Sequence, residues 1–349
     1  MNSPTRKSTD PFSSAAVVGA GSWGTALTCL LSRAGVPVTL WTKEQAQVDE
    51  INRKRTNAGF LPGIRIADTV RATTRMEDVA EHPLVVVVVP SRYVRSVAKQ
   101  LAATGLGREK LLLSCSKGIE SGTGLRMSAI LKDECPENPV AALSGPNHAE
   151  EVAKGLATAA VVGAEHHDHA LALQRTLRVP WFRLYTSTDV AGIELGGAIK
   201  NVFALAGGIA DGLGLGDNAK AALVTRGLAE MVRLGVALGG RSETFFGLSG
   251  VGDLVVTCYS EHSRNHRAGR MLGQGVSLDE VMRKMAPMVA EGIPNSESIF
   301  DVAHRSGVST PLIDEIHAVI HKGKDPGEAL RDLLARRPRP ESDGHPAAI

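Results

Sequence analysis

Lys200 is the only basic residue in the apolar stretch from Ala191 to Ala210, which is rich in glycine and alanine. Lysine is almost never buried without a partner, and burial lowers its pKa so that the ammonium can donate a proton near neutral pH. At helical spacing Gly196 and Gly197 lie one turn before Lys200, so we expect them to leave room for a ligand. The alternative is a lysine at the edge of a core helix whose ammonium reaches water.

A glycine-rich motif near the N-terminus has the form GxGxxG, with Gly19, Gly21 and Gly24 around Ser22 and Trp23. It follows a short apolar run and precedes a predicted helix. In that context the glycines allow a tight turn and a close approach of a pyrophosphate to the helix N-terminus. The motif therefore predicts dinucleotide binding, with Ser22 and Trp23 beside the cofactor.

The residues after the second predicted strand bear on the choice of cofactor. An acidic residue that would bind the ribose 2′-hydroxyl of NAD is expected at about positions 40–42, and none is there. Lys43 follows, and a cation favours a 2′-phosphate, so we favour NADP and keep NAD open. Lys43 as a solvated residue at a helix start remains the alternative.

Two polar turns follow predicted parallel strands, at the edge where open α/β sheets bind ligands. Lys117 lies in the first turn, as a crevice residue or a surface loop lysine. The second turn contains Asn147, which with Glu150 predicts a capping pair for the next helix. Backbone N–H groups of that turn could also hold a substrate oxygen.

A further pair of segments combines charge with backbone donors. Asp253 stands among three glycines, and Ser263 is a predicted N-cap followed by Arg264 and Asn265. A helix N-terminus with a guanidinium group suits a phosphate. The alternative is that Arg264 is an ordinary solvated residue.

Metal binding and ATP hydrolysis are not favoured. Residues 166–169 read His-His-Asp-His but lack a second set of ligands, and the four cysteines are scattered, so we predict no metal site. The chain also lacks the GxxxxGK[ST] motif of many ATPases.

The order of predicted elements indicates two domains. Strands and helices alternate from residue 14 to 188, which predicts a Rossmann-like, doubly wound parallel sheet. Long helices without convincing strands follow from 189 to 336, which predicts an all-α domain that begins with the Lys200 helix. Residues 1–13 and 337–349 are predicted to be disordered tails.

Composition places the chain among ordinary globular proteins. Of 349 residues, 43% are hydrophobic and 22% charged, and the net charge of +2 gives no field that would favour nucleic acid. The longest apolar run, residues 84–89, is too short to span a bilayer, and the polar N-terminus is unlike a secretory signal. We therefore expect a cytoplasmic location.

Taken together, the motifs resemble those of the glycerol-3-phosphate dehydrogenases that use NAD or NADP, in particular the bacterial biosynthetic type. They run in order from about residue 15 to 292. The segments that carry the resemblance are Gly19–Thr25, Phe60–Gly63, Val89–Ser91, Ser116–Glu120, Ser144–Pro146, Gly197–Val202, Gly247–Leu254 and Ser263–Asn265.

The resemblance implies a Rossmann-like domain followed by a helical domain. It also implies reversible reduction of dihydroxyacetone phosphate to sn-glycerol 3-phosphate, which feeds phospholipid synthesis. Lys200 would be the general acid/base, and Asp253 would orient it or the C1 hydroxyl. The implied substrate contacts are Lys117, Gly145, Asn147, Asp253, Ser263, Arg264 and Asn265. The implied cofactor contacts are Ser22, Trp23, Lys43, Lys117, Ala149, Arg264, Val289 and Glu291.

One segment departs from the family pattern. The family often has Ser or Thr and then Phe after Gly-Pro, whereas this chain has Asn147 and His148. A carboxamide can still bond a substrate oxygen, and His148 could simply replace the packing of Phe.

Two other functions remain open at this stage. A dehydrogenase of 3-hydroxy acids can also place a lysine on a helix after the Rossmann domain, but it does not need the Ser263–Asn265 segment. A redox sensor without catalytic activity would need the glycine motif but not Lys200, Asp253 and Arg264 together. A homodimer is possible, since a glycine-rich helical domain could support one.

Overall fold

The computed structural model describes residues 8–286, 288–338 and 340–341. The two predicted tails therefore lie partly outside the described residues. The described part of the first tail is packed: Phe12 is buried, and its backbone N–H donates to Thr176 Oγ1 at 2.9 Å. The prediction of disorder is wrong for residues 8–13, because the aromatic ring of Phe12 joins the core.

Eight strands form one sheet in the order β3-β2-β1-β4-β5-β6-β7-β8. The strands are β1 (Ala15–Val18), β2 (Val38–Trp41), β3 (Arg71–Thr73), β4 (Leu84–Val87), β5 (Leu111–Ser114), β6 (Val140–Ser144), β7 (Thr158–Ala164) and β8 (Phe182–Ser187). All neighbours are parallel except β6 and β7, which are antiparallel. The Rossmann-like sheet is confirmed. The prediction of a parallel sheet is wrong for the pair β6 and β7.

Helices cover both faces of the sheet. They are α1 (Ser22–Arg33), α2 (Gln45–Lys54), α3 (Met76–Ala80), α4 (Val94–Ala103), α5 (Met127–Glu134), α6 (Ala149–Lys154) and α7 (His167–Thr176). Alternate residues of β1 join different cores: Val17 packs with α1, while Val18 packs with α4 and α5. A strand buried on both faces must be apolar throughout, which explains the uninterrupted valines of β4.

The rest of the described chain is helical. It comprises α8 (Val190–Gly212), α9 (Gly216–Ala237), α10 (Ser242–Phe245), α11 (Asp253–Tyr259), α12 (Arg264–Gly273), α13 (Leu278–Met285), α14 (Gly292–Arg305), α15 (Pro311–Lys322) and α16 (Pro326–Leu334). A single π-helical turn, Leu248–Gly252, precedes α11. The change from strands to helices therefore falls between β8 and α8.

The central helix of this part is α8, and α12 packs directly against it. A Cβ atom at Gly208 or Gly212 would overlap backbone oxygens of α12, and one at Gly269 or Gly273 would overlap those of α8. Each helix thus presents two glycines four residues apart to the other. The two backbones touch with no side chain between them.

The composition of α8 also meets the length and hydropathy expected of a membrane span. It is the one such helix in the described ranges, and its most apolar window is wholly buried inside the structure. A search for unbroken apolar runs finds residues 84–89 but not α8, because Glu194 and Lys200 interrupt it. Burial among other helices accounts for its apolar composition.

Candidate active site

A cleft of about 590 Å³ lies between the sheet and the helical domain. It is lined by the glycine loop, the ends of β2, β4 and β5, the turn before α6, and residues of α8, α11 and α12. Most of the predicted site residues line it: Gly19, Gly21, Ser22, Trp23, Lys43, Lys117, Asn147, Ala149, Lys200, Asp253, Ser263, Arg264, Asn265, Val289 and Glu291. Gly24 and Gly145 are not among the lining residues.

The glycine loop joins β1 to α1, as the motif predicts. Gly19 has a φ of 116°, and a Cβ atom there would lie 2.9 Å from the backbone oxygen of Val88. A Cβ at Gly24 would overlap the carbonyl oxygen of Gly19, whereas one at Gly21 would meet nothing within 4 Å. Gly19 and Gly24 are therefore required for the tight packing of the turn. Gly21 leaves its side of the loop open to the cleft.

The first turn of α1 offers free donors to that opening. The helix begins at Ser22 after the N-cap Gly21, and the first N–H groups of a helix have no partner within it. The Ser22 hydroxyl donates to the Phe60 carbonyl at 2.7 Å, so it is already engaged within the protein, and Ser22 lines the cleft. Trp23 Nε1 is buried without a hydrogen bond to any described residue.

Lys43 lies just beyond the end of β2. Its side chain is 75% exposed and lies 3.5 Å from Glu44, measured between Nζ and Oε1. The cation is therefore available to a 2′-phosphate, but an adjacent carboxylate partly neutralises it. The alternative of a solvated residue at a helix start fits its exposure equally well.

Asp253 bridges two lysines from different parts of the chain. Its Oδ1 accepts from Lys200 Nζ at 2.6 Å, and its Oδ2 accepts from Lys117 Nζ at 2.6 Å. Lys117 Nζ also donates to Asn147 Oδ1 at 3.1 Å and to the Gly145 carbonyl at 3.2 Å. An ammonium has three donors, so those of Lys117 are all engaged.

Lys200 differs from Lys117 in having a donor left over. Its ammonium donates to Asp253 and, at 2.6 Å, to Thr257 Oγ1. Within the described chain no third partner of Lys200 occupies the remaining N–H. Lys200 is 5% exposed and lines the cleft. The burial of Lys200 and its bonds to Asp253 and Thr257 favour a site residue over a lysine whose ammonium reaches water from the edge of a core helix.

Burial and neighbouring charges set the protonation of this network. Burial lowers the pKa of Lys200 to about 8, with Asp253 opposing that effect and Lys117 adding to it. Burial raises the pKa of Asp253, but Lys117 and Lys200 together outweigh it and hold that pKa below its usual value. The carboxylate is thus charged while Lys200 can exchange a proton near neutral pH.

The turn before α6 does not form the predicted capping pair. The N-cap of α6 is His148, and no side chain caps the helix. Asn147 instead accepts from Lys117, and its Nδ2 is buried without a partner among the described residues. The prediction of an Asn147–Glu150 cap is wrong, because the ammonium of Lys117 competes for the carboxamide oxygen.

The predicted N-cap of α12 is confirmed. Ser263 Oγ accepts from the backbone N–H of His266 at 3.2 Å. Arg264 is half-buried at the cleft, where burial lowers its pKa, and its guanidinium makes no hydrogen bond or ion pair with a described residue. Asn265 bonds Asn201 and the Gly292 N–H, each at 2.9 Å, so its side chain ties α12 to α8 and α14.

Gly196 and Gly197 do not leave room for a ligand. A Cβ at Gly196 would lie 2.5 Å from the Ser249 backbone oxygen, and one at Gly197 would lie 2.6 Å from Ser144 Oγ. These glycines are small because the π-helical turn and the last residue of β6 pack against α8. The access to Lys200 comes from the cleft instead.

Two sets of contacts that support the site were not predicted from the sequence. Ser91 Oγ donates to Glu291 Oε2 at 2.8 Å, which links the end of β4 to the start of α14. Asp211 Oδ2 lies 2.6 Å from both Lys220 Nζ and His266 Nε2, which ties α8 and α9 to the first turn of α12. The sequence does contain a signal for Asp211, because it is the acidic residue at the end of a long apolar stretch.

The histidines at 166–169 lie at the start of α7 and are not among the residues that line the cleft. No three His, Cys, Asp or Glu side chains are grouped to hold a metal ion in the part of the chain that the structure describes.

Two family models together cover most of the chain. The model described as NAD-dependent glycerol-3-phosphate dehydrogenase N-terminus matches residues 14–170, and the one described as the C-terminus matches residues 189–331. The boundary between the two models lies near the change from strands to helices.

Individual proteins are similar over nearly the whole length. A glycerol-3-phosphate dehydrogenase [NAD(P)+] of Geobacillus kaustophilus is 47% identical over 335 residues, which is 94% of this chain and 96% of that one. The corresponding enzyme of Streptomyces coelicolor is 45% identical over 94% of this chain and 98% of its own. The crystal structure of glycerol-3-phosphate dehydrogenase from Coxiella burnetii has a TM-score of 0.89 at 36% identity, covering 94% and 100% of the two chains.

Proposed function

Because the chain belongs to the NAD-dependent glycerol-3-phosphate dehydrogenase family, we propose that it reversibly reduces dihydroxyacetone phosphate to sn-glycerol 3-phosphate with NADH or NADPH. The observation that supports this most strongly is the Lys200 ammonium. It lines the cleft, keeps one N–H without a partner in the described chain, and has a pKa of about 8.

Lys200 is the proposed proton donor in the reductive direction. As the substrate carbonyl at C2 becomes an alkoxide, the ammonium gives it a proton, and the neutral amine takes the proton back in the reverse reaction. Asp253 holds Lys200 in place through Oδ1 and keeps Lys117 beside it through Oδ2. Lys117 is a positioning residue because its three donors are engaged within the chain.

Arg264 and the start of α12 are the proposed phosphate site. Glu291 and Glu150 are near enough to raise the pKa of Arg264, but neither forms an ion pair or hydrogen bond with its guanidinium. A partly buried guanidinium whose donors are unpaired is a poor arrangement for stability alone. A phosphate would supply acceptors and an opposite charge, and the free backbone donors of the first helical turn would add to its binding.

The glycine loop fits a dinucleotide. Gly21 leaves the loop open, the first turn of α1 faces the opening, and Trp23 Nε1 is a buried donor without a partner in the described chain. We propose that Gly19, Gly21, Ser22 and Trp23 hold it with Ala149, Val289 and Glu291, while Gly24 supports the turn. When bound, the nicotinamide supplies or accepts the hydride.

Lys43 favours NADP over NAD in this proposal. Its cation is exposed at the end of β2, where the 2′ position of the adenosine ribose is expected. Because Glu44 lies beside it, use of both cofactors is compatible with the same site. A comparison of kcat/KM for NADPH and NADH in the wild type and in Lys43→Ala tests this choice directly.

One assay tests the proposed reaction. Purified protein should oxidise NADPH when dihydroxyacetone phosphate is added, and should reduce NADP⁺ with sn-glycerol 3-phosphate. Turnover of an unphosphorylated 3-hydroxy acid instead would identify the other class of dehydrogenase. Dinucleotide binding without turnover of either substrate would favour the redox sensor.

The setting of the reaction is also a proposal. We infer that the product supplies glycerophospholipid synthesis and that the enzyme works in the cytoplasm, alone or as a homodimer. Fractionation of cells and the mass of the purified protein in solution test these two points.

A further inference from the structure

His148 lies in the turn between β6 and α6 and lines the cleft together with Lys200 and Asp253. Its backbone is fixed as the N-cap of α6, where its carbonyl accepts from the Val152 N–H at 3.0 Å. Its imidazole Nε2 is buried and has no hydrogen-bond partner among the described residues. Buried polar groups are nearly always bonded, so an orphan at a ligand cleft points to the ligand.

A second buried nitrogen without a hydrogen-bond partner lies in the same turn. Asn147 Nδ2 is also buried without a partner in the described chain, because the carboxamide oxygen alone is engaged by Lys117. Two unpaired groups on consecutive residues, both lining one cleft, define a small polar patch. A single hydroxyl group could satisfy them, because it accepts up to two hydrogen bonds and donates one.

The charge of His148 suits an uncharged partner. Burial lowers its pKa, and the nearby Lys200 ammonium lowers it further, with Asp253 acting in the opposite direction. The neutral imidazole offers one donor and one acceptor, which matches a hydroxyl. A phosphate dianion would instead favour the charged ring, and Arg264 already offers a cation for it.

We propose that His148 is a specificity-determining residue that hydrogen-bonds the free C1 hydroxyl of the substrate through Nε2. The proposal rests on the proposed function. It adds that the His148 imidazole recognises the end of the substrate opposite the phosphate. Asn147 Nδ2 donates to the same hydroxyl oxygen. A histidine that only filled the space of a phenylalanine would have no such effect.

The test compares two substrates in matched variants. Hydroxyacetone phosphate is dihydroxyacetone phosphate without its free hydroxyl. We define the preference as kcat/KM for dihydroxyacetone phosphate divided by kcat/KM for hydroxyacetone phosphate. Both values are measured on the same preparation of a variant, so the ratio does not depend on the fraction of the enzyme that is active. In H148F we expect this preference to fall about 10- to 100-fold, because the hydroxyl loses its partner.

Two conservative variants locate the contact on one nitrogen. The amide nitrogen of Gln reaches about as far as Nε2 of His, whereas that of Asn reaches only as far as Nδ1. We therefore expect H148Q to recover most of the preference and H148N to recover little. His167, which is exposed at the start of α7, provides the control variant H167F, which should leave the preference unchanged.

The outcomes separate this inference from the proposed function. A wild-type protein that does not reduce dihydroxyacetone phosphate overturns the function itself. A wild type that reduces it, with H148F keeping the preference within about twofold, overturns only the role of His148 and leaves it a packing residue. A wild type that uses both compounds equally well also overturns it. If hydroxyacetone phosphate turns over too slowly to measure, its competitive inhibition constant takes the place of its kcat/KM.

Discussion

The two sides of the cleft bind their ligands by different means. On the sheet side, the glycine loop offers backbone N–H groups and open space, and its key residues lie within six consecutive positions, 19–24. On the helical side, the site is made of charged side chains that meet from far apart, since Lys200 and Asp253 are separated by 53 residues in the chain. Asp253 also binds Lys117, which follows β5 on the sheet side and is separated from Asp253 by 136 residues. Substitutions that change the shape of the main chain should therefore impair binding at the glycine loop. Substitutions that remove a charged side chain should impair the helical side.

The largest expected effect is on the side-chain site. Lys200→Ala should lower kcat by about 10²- to 10⁴-fold, because the proton for the alkoxide would have no donor. Cofactor affinity, measured by fluorescence titration, should be nearly intact, because the glycine loop does not depend on Lys200. An unchanged kcat would end the assignment of Lys200 as the proton donor.

Arg264→Ala should act on binding rather than on the chemical step. Loss of the guanidinium should raise the KM for dihydroxyacetone phosphate by about 10- to 100-fold, since a hydrogen bond to a charged group contributes more than a neutral one. Steady-state kinetics against Arg270→Ala, an exposed arginine of the same helix, provide the comparison. If the KM is the same in both variants, the phosphate site lies elsewhere.

The glycine loop allows a matched pair of variants. Gly24→Ala places a methyl group against the Gly19 carbonyl oxygen and should lower the free energy of unfolding by about 1–3 kcal/mol. Gly21→Ala meets nothing within 4 Å, so its stability should be unchanged while the KM for the cofactor rises. Urea denaturation and cofactor kinetics measure the two effects. Equal stability of the two variants would contradict this description of the loop.

The smallest effect concerns pH. Reduction requires the Lys200 ammonium, so its rate should fall as pH rises through about 8, the pKa of that group. The Asp253 carboxylate raises this pKa, so Asp253→Asn should move the fall to lower pH. Glu280→Gln, at a partly exposed ion pair with Lys284, serves as the charge-matched control in the pH–rate profiles. A shift to higher pH in Asp253→Asn would contradict the proposed electrostatics.

The same contrast explains what the sequence could predict. The glycine loop, β1 and α1 follow from residues adjacent in the chain, and so does the N-cap of α12 at Ser263. The helical character of residues 189–336 also follows from local composition and spacing, and α8, α9 and α12 lie within that range. Short elements such as α3 and α10 were missed, because four or five residues carry too little periodicity.

Contacts between distant segments were beyond local reasoning. The antiparallel direction of β7 leaves no mark in the order of its side chains, since a strand shows the same alternation in either direction. Lys117, Asp253 and Lys200 were each chosen singly or by resemblance, and their bridging arrangement required the fold. The expectation that Gly196 and Gly197 leave room for a ligand is wrong for the same reason, because the segments that pack on them lie elsewhere in the chain.

The contact between α8 and α12 has a consequence for the choice of substrate. Lys200 stands on one helix and Arg264 begins the other, and the glycine pairs bring the two main chains together without a side chain that could yield. The main chains that carry the proposed proton donor and the proposed phosphate site are therefore held at a fixed separation. Directed evolution toward longer polyol phosphates should find its gains near Asn147 and His148, because changing that separation would require rebuilding both helices.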